Sequence, residues 1–234
     1  MIIDSMKRAI YYLLYFKEEV DEMKIALINE NSQASKNSLI YNTLKSVVEP
    51  MGHQVFNYGM YSAEDQAQLT YVQVGLLTAI LINSKAADFV VNGCGTGSGA
   101  MLASNSFPNV LCGLIIDPSD AYMFGQINDG NAIAMPYAKG FGWGAELNLQ
   151  YIFEKLFEGE RGLGYPRERA IPEQRNKKIL DEVKKITHTD MMTILKTIDQ
   201  EFLKQTISGE KFQEYFFANC QNDEIANYLK SVLA

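Results

Sequence analysis

Asp88-Phe-Val-Val-Asn-Gly-Cys-Gly-Thr-Gly-Ser-Gly-Ala100 is the stretch from which the rest of the chain is read. Phe89–Val91 is a short apolar run of the kind that forms a buried strand. It ends in a loop with glycine at every second position, Gly93, Gly95, Gly97 and Gly99, and a helical pattern follows. Each glycine loses extra backbone entropy on folding. Such a run makes sense where the backbone must come close to a ligand and aim N–H groups at it. Cys94 and Thr96 are the reactive side chains inside the loop, which is therefore read as an active-site loop.

Working outward, apolar runs alternate with helical spacings. Residues 24–28 read as a first strand, followed by the polar loop 29–35 and a helix with Leu39, Ile40, Leu44, Val47 and Val48 on one face. Val55–Tyr58 reads as a second strand, Gly59–Asp65 as a loop and Gln66–Ser84 as a long helix. Beyond the glycine loop come a helix over 100–105, a strand over 110–116, a helix over 121–127, a strand over 132–135 and a helix over 141–157. Continuous apolar strands alternating with helices predict a Rossmann-like α/β three-layer sandwich on a mostly parallel five-stranded sheet. Right-handed crossovers bring the loops after every strand to one edge, where open α/β sheets bind ligands. That edge collects Glu30-Asn31, the Gly59 loop, the Cys94 loop, Asp117 and Pro136-Tyr137.

This domain spans 23–175. Residues 1–22 read as an extra amphipathic helix or as sequence upstream of the biological start. A break rich in Gly, Pro and Arg over 159–175 leads into a helical C-terminal extension, 176–234, with patterns at 176–186, 189–206, 210–219 and 222–233 and no strand signal.

Composition narrows the function. The chain has 234 residues, 47 % of them hydrophobic, and a formal charge of −7, which argues against a nucleic-acid binder. Three scattered cysteines make no disulfide framework and fit a reducing cytoplasm; two histidines and no Cys-x-x-Cys make no zinc site. No apolar run is long enough to span a membrane.

The order strand, Cys94-Gly-Thr-Gly-Ser-Gly99 loop, helix with Asn105, strand ending in Asp117-Pro118, then Asn128-Asp-Gly-Asn131 resembles the ribose-5-phosphate isomerase B and galactose-6-phosphate isomerase family. The resemblance runs over 24–175. It implies an intracellular aldose–ketose isomerase of a small phosphorylated sugar that uses no cofactor and no metal, assembled as a homodimer or higher homo-oligomer with sites near the subunit interface. Cys94 would be the base moving a proton between C1 and C2 through an enediolate, and Thr96 would orient an oxygen or assist ring opening. The N–H groups of Gly95, Thr96, Gly97, Ser98 and Gly99 would hold the enediolate oxygens. Asn128 would bind a sugar oxygen, and Lys139, Arg167 and Arg169 are the candidates for phosphate. The family's Asp-His pair after the first strand is Glu30-Asn31 here, both read as substrate contacts, with Glu30 either a hydroxyl anchor or a second acid–base group. The histidine that the family places before Asn128 is Ile127, and isoleucine cannot move the proton that opens a furanose. An open-chain substrate follows, such as a tetrulose phosphate, whose O4 is esterified.

Two other classes stay open on the sequence. Gly95-x-Gly97-x-x-Ala100 with Asp117 downstream fits a relaxed dinucleotide fingerprint, although that fingerprint normally follows the first strand. A non-catalytic sugar-phosphate binder could retain the loop without the histidines. A cysteine-phosphatase loop would need an arginine where Ala100 stands. Cys112 and Cys220 read as packing residues, and His53 as structural.

Overall fold

The structure is a computed structural model, and it describes residues 22–234; the expected N-terminal helix over 1–22 lies, but for its last residue, outside the described residues. Five strands form, β1 Lys24–Asn29, β2 Gln54–Asn57, β3 Phe89–Cys94, β4 Cys112–Leu114 and β5 Ala132–Pro136. They make one sheet in the order β2-β1-β3-β5-β4 with every ladder parallel. The strand period of two divides their apolar residues between two cores. Ile25, Leu27, Phe89, Val91, Ile133 and Met135 face one layer, while Ala26, Ile28, Val90, Ala132 and Ala134 face the other.

The first layer holds helices α1 Asn37–Val48 and α5 Ala145–Leu156 with the short α4 Pro118–Met123 between them in sequence. Helix α1 buries Ile40, Leu44, Val47 and Val48, one stripe at helical spacing. Helix α4 runs on into a wider π turn, Phe124–Asn128. The second layer holds α2 Tyr71–Asn83 and α3 Ser98–Asn105. At the end of α3, the Asn105 side chain bonds both polar backbone groups of Cys112: its Nδ2 donates to the Cys112 carbonyl at 2.8 Å and its Oδ1 accepts the Cys112 N–H at 3.0 Å.

Helix α2 begins at Tyr71 rather than at Gln66 because Thr70 and Gln73 form a reciprocal cap. The Gln73 N–H donates to Thr70 Oγ1 and the Thr70 N–H to Gln73 Oε1. Residues 58–70 are accordingly one long irregular loop. Val74, Leu76, Leu77, Ala79, Ile80 and Leu81 of α2 are all buried, on every side of the helix. A helix apolar all round needs cover on its outer face, and the C-terminal extension provides it.

That extension comprises α6 Ala170–Thr187, α7 Met191–Thr197, α8 Gln200–Ile207, α9 Glu210–Asn219 and α10 Asp223–Leu233. Met191, Leu195, Leu203, Ile207, Phe212, Phe216, Ile225 and Leu229 pack with α2 and the sheet into one core. The helix expected over 189–206 is two, because Asp199 turns its carboxylate onto the Phe202 N–H and starts a new one. The strand expected over 110–116 is reduced to three residues. Helix α6 runs unbroken across 175/176. No helix among the described residues is long and apolar enough to cross a membrane.

Candidate active site

The strand order reverses between β1 and β3, the switch point at which parallel sheets open a crevice beyond their carboxyl ends. Glu30 and Asn31 follow β1 there, and Cys94 closes β3 beside them, with Asn29 in register opposite Gly93. The sheet itself therefore brings together the two segments that the sequence singled out.

Cys94 is 7 % exposed at the carboxyl end of β3, on this switch-point edge. Its carbonyl accepts the Tyr137 N–H, and the Gly95 carbonyl accepts both the Ala138 and Lys139 N–H groups, so the loop after β5 fixes the glycine loop. With the carbonyls tied down, the N–H groups of Gly95, Thr96, Gly97, Ser98 and Gly99 have no partner among the described residues. Gly97 takes φ +76, and a Cβ there would fall 2.6 Å from Leu114 Cδ1. This conformation lets the chain turn from the loop into α3. Gly93 is needed for a different reason: the Tyr137 ring occupies the place of a side chain. Of the loop glycines, Gly95 has the most open surroundings, with its nearest neighbours Ala138 Cβ and Gln33 Nε2 at 3.8 and 4.0 Å from a hypothetical Cβ. Tyr137 is fully buried, donates its hydroxyl to the Asn92 carbonyl at 3.3 Å, and has its phenol pushed above the ordinary range by burial, with Cys94 adding to the effect.

Glu30 accepts the Ser32 hydroxyl at 2.7 Å. Gln33 Nε2 donates to that hydroxyl at 3.0 Å, and Lys36 Nζ donates to Gln33 Oε1 at 2.8 Å and to the Tyr137 carbonyl. Lys36 also lies 4.6 Å above the Phe141 ring. Gln33 and Lys36 are thus site residues not foreseen from sequence; the tight 3-10 turns over Asn31–Lys36 carry them back over the strand ends. Asn31 donates its N–H to the Leu69 carbonyl at 2.8 Å. Lys139 is exposed at the rim, as are Thr96 and Ser98.

Asn128, Arg167 and Arg169 lie elsewhere. Asn128 ends the π turn just before β5, on the amino-terminal side of the sheet, and the turn Arg167–Arg169 follows the loop that leaves α5 on that same side. Arg161, which the sequence reading passed over, sits there too. It donates to the Gly130 carbonyl, lies 3.6 Å from the Asp129 carboxylate and stacks 4.7 Å from the Phe89 ring centroid. One chain therefore gathers Cys94, Gly95–Gly99, Glu30, Asn31 and Lys139, and leaves Asn128, Arg167 and Arg169 at the opposite edge.

The other groups have structural work. Asp117 accepts the Ser119 and Asp120 N–H groups as the cap of α4, and its carboxyl is held below the usual range by the Ser119 hydroxyl first and the Asp120 amide next. Its Oδ1 serves as the helix cap, a role that accounts for this carboxylate without a ribose. Cys112 is buried, and burial pushes its thiol up to about 12.

The match to a family model described as ribose/galactose isomerase covers residues 25–161, and a second model, described as ribose-5-phosphate isomerase, covers 186–232 within the extension. A solved 4-deoxy-L-threo-5-hexosulose-uronate ketol-isomerase, complexed with a tartrate, is 70 % identical; the match covers 90 % of this chain and 99 % of that one, with a TM-score of 0.89. A ribose-5-phosphate isomerase from Vibrio parahaemolyticus is 53 % identical over 91 % of this chain and 100 % of its own, also with a TM-score of 0.89. A ribose 5-phosphate isomerase from Thermotoga maritima shares the fold at 24 % identity and a TM-score of 0.53, over 68 % of this chain and 98 % of that one. No curated protein matches the chain. With the crevice, its cysteine and the family match over more than half its length, the chain belongs to the ribose/galactose isomerase family and is an aldose–ketose isomerase.

Proposed function

We propose that the chain isomerises an open-chain sugar acid, with Cys94 as the carbon base and the glycine loop as the oxyanion cradle. The observation that carries the mechanism is Cys94 at the end of β3 beside five N–H groups without partners among the described residues. In its thiolate form Cys94 takes the proton from C2 of the aldose. The oxygen charge that develops on the enediolate is met by preorganised amides at no cost in reorganisation. The proton returns to C1, the hydrogen of O2 passes to O1, and the carbonyl now stands at C2. Thr96 orients one of these oxygens, and Glu30, held by Ser32, carries the proton between them or anchors a hydroxyl. C1 is reduced as C2 is oxidised, with no net change in the sugar, so the step calls for no external oxidant or reductant.

The substrate class is supported by the ketol-isomerase at 70 % identity. The sugar in its name lacks O4 and has a ketone at C5, so neither O4 nor O5 is a hydroxyl able to close a ring on C1. Such a substrate needs no ring-opening acid, and this chain has Ile127 and Asn31 where its relatives by resemblance have histidine. A phosphorylated sugar is the second reading, favoured by the relative at 53 % identity. In either case a second copy of the chain, in a homodimer, would bring Asn128, Arg167 and Arg169 to the Cys94 edge, where the arginines would meet the substrate's anionic end.

The test is turnover of 4-deoxy-L-threo-5-hexosulose uronate against ribose 5-phosphate, with deuterium uptake from solvent at the exchanging carbon. Preference for the uronate and loss of uptake in Cys94→Ala are expected. Equal turnover of both sugars would refute the open-chain reading. Saturable binding without exchange would make the chain a binder.

A further inference from the structure

The long 58–70 loop separates the crevice from the C-terminal extension. On its inner side it holds the backbone of the first site segment. Asn29 donates to the Gly59 carbonyl at 2.6 Å and accepts the Met60 N–H at 3.1 Å, and the Leu69 carbonyl accepts the Asn31 N–H. Its own internal ties are local, such as the Asp65 carboxylate accepting the Tyr61 and Ala67 N–H groups. Between 61 and 70 only Leu69 is buried. Tied within itself by these bonds and by the Gln68 Nε2 donation to the Asp65 carbonyl, the loop shifts as a unit and takes its position from what it leans on.

What it leans on is the extension. A Cβ on Gly209, in the turn between α8 and α9, would stand 3.5 Å from the Ala67 Cβ. The Tyr58 ring lies edge-on to Tyr215 at 5.8 Å and 6.2 Å from Phe212, which is itself buried. Beside these contacts a cavity of about 330 Å³, lined by Glu64, Asp65, Thr206, Glu210 and Lys211 among others, leaves the loop room to shift.

We propose that the C-terminal extension is a positioning element for the active site, acting on the 58–70 loop through Phe212 and Tyr215 against Tyr58, with Gly209 beside Ala67, and so on Asn29 and Asn31. This rests on the reading of Glu30 and Asn31 as substrate contacts. The extension then does more than cover α2: it sets where the wall of the crevice stands. The rings of Phe212 and Tyr215 on Tyr58, and the backbone bonds of Gly59 and Met60 to Asn29, link one element to the other through touching groups, which is the physical requirement for coupling them.

The test compares Gly209→Leu with Gly209→Ala in the full chain. At residue 209 a methyl makes ordinary contacts, so the alanine variant should match the unaltered protein. The larger side chain should push the loop outward. Amide hydrogen exchange at Asn31 and Met60 should then speed up about tenfold, with β3 amides unchanged, and KM should rise about fivefold with kcat within about twofold. Should Gly209→Leu not fold, Ala67→Leu strains the same contact from the loop side. Unchanged exchange, or faster exchange with unchanged KM, overturns the proposal whatever happens to Tm. Absence of turnover by the unaltered chain would instead refute the activity, and this role with it.

Discussion

The ring of Tyr137 lies directly over Gly93, so that a Cβ on residue 93 would fall 2.3 Å from Tyr137 Cε2. The residue after β5 thus reaches across to the residue before Cys94. Gly93→Ala must displace either the ring or the strand end. A loss of about 1–3 kcal/mol in denaturant unfolding is expected from this overpacking, together with a fall in kcat because Cys94 moves with the strand. A variant with unaltered Tm and unaltered kcat would show that the ring yields freely.

Cys94→Ala should retain the fold, since the side chain is small and its backbone ties are made by the carbonyl. Turnover should drop by about 10²–10⁴-fold, the range for losing a positioned acid–base group. Circular dichroism checks the fold, and deuterium uptake checks the chemistry.

Cys112 should resist alkylation. Burial raises its thiol to about 12, against smaller opposing effects from the Ser104 hydroxyl and the Lys184 charge. At pH 8 almost none is thiolate, and only the thiolate reacts. Iodoacetamide labelling followed by peptide mass mapping should find Cys112 modified only after denaturation.

His53 should make stability depend on pH. It is 3 % exposed, its Nδ1 accepts the Met23 N–H at 3.3 Å, and burial lowers its pKa from 6.5, with the Glu22 charge opposing. A lowered pKa means that the unfolded chain binds the proton more readily, so stability is fully present above pH 6.5 and is lost as pH falls through the folded pKa. Melting temperatures between pH 7.5 and 5, an interval of about 2.5 units around the histidine range, should therefore fall further for the unaltered chain than for His53→Gln.

Much of this fold was legible because apolar runs and helical stripes map directly onto cores. The α/β order, all five strands and the helical tail were read from residues such as Phe89–Val91 and Leu39–Val48. Boundaries escaped where a side chain decides them: Thr70 starts α2 late, and Asp199 cuts the tail helix in two. Gln33 and Lys36 escaped because tight turns, which carry no periodic signal, fold them over the site. Asn128 was read as a sugar contact by resemblance, and its position just before a parallel strand puts it at the far edge of its own chain's sheet, so only a second copy could bring it to Cys94. Arg161 gave no signal in a stretch dominated by turn residues.

Asn105 has one more consequence. By answering both the N–H and the C=O of Cys112, its amide occupies the place of a sixth strand. The sheet ends at β4 because a side chain imitates the backbone that would otherwise extend it. A segment from another molecule cannot pair its main chain with Cys112 without first displacing Asn105. Recognition at this border is left to side chains, which are selective where an open strand is not.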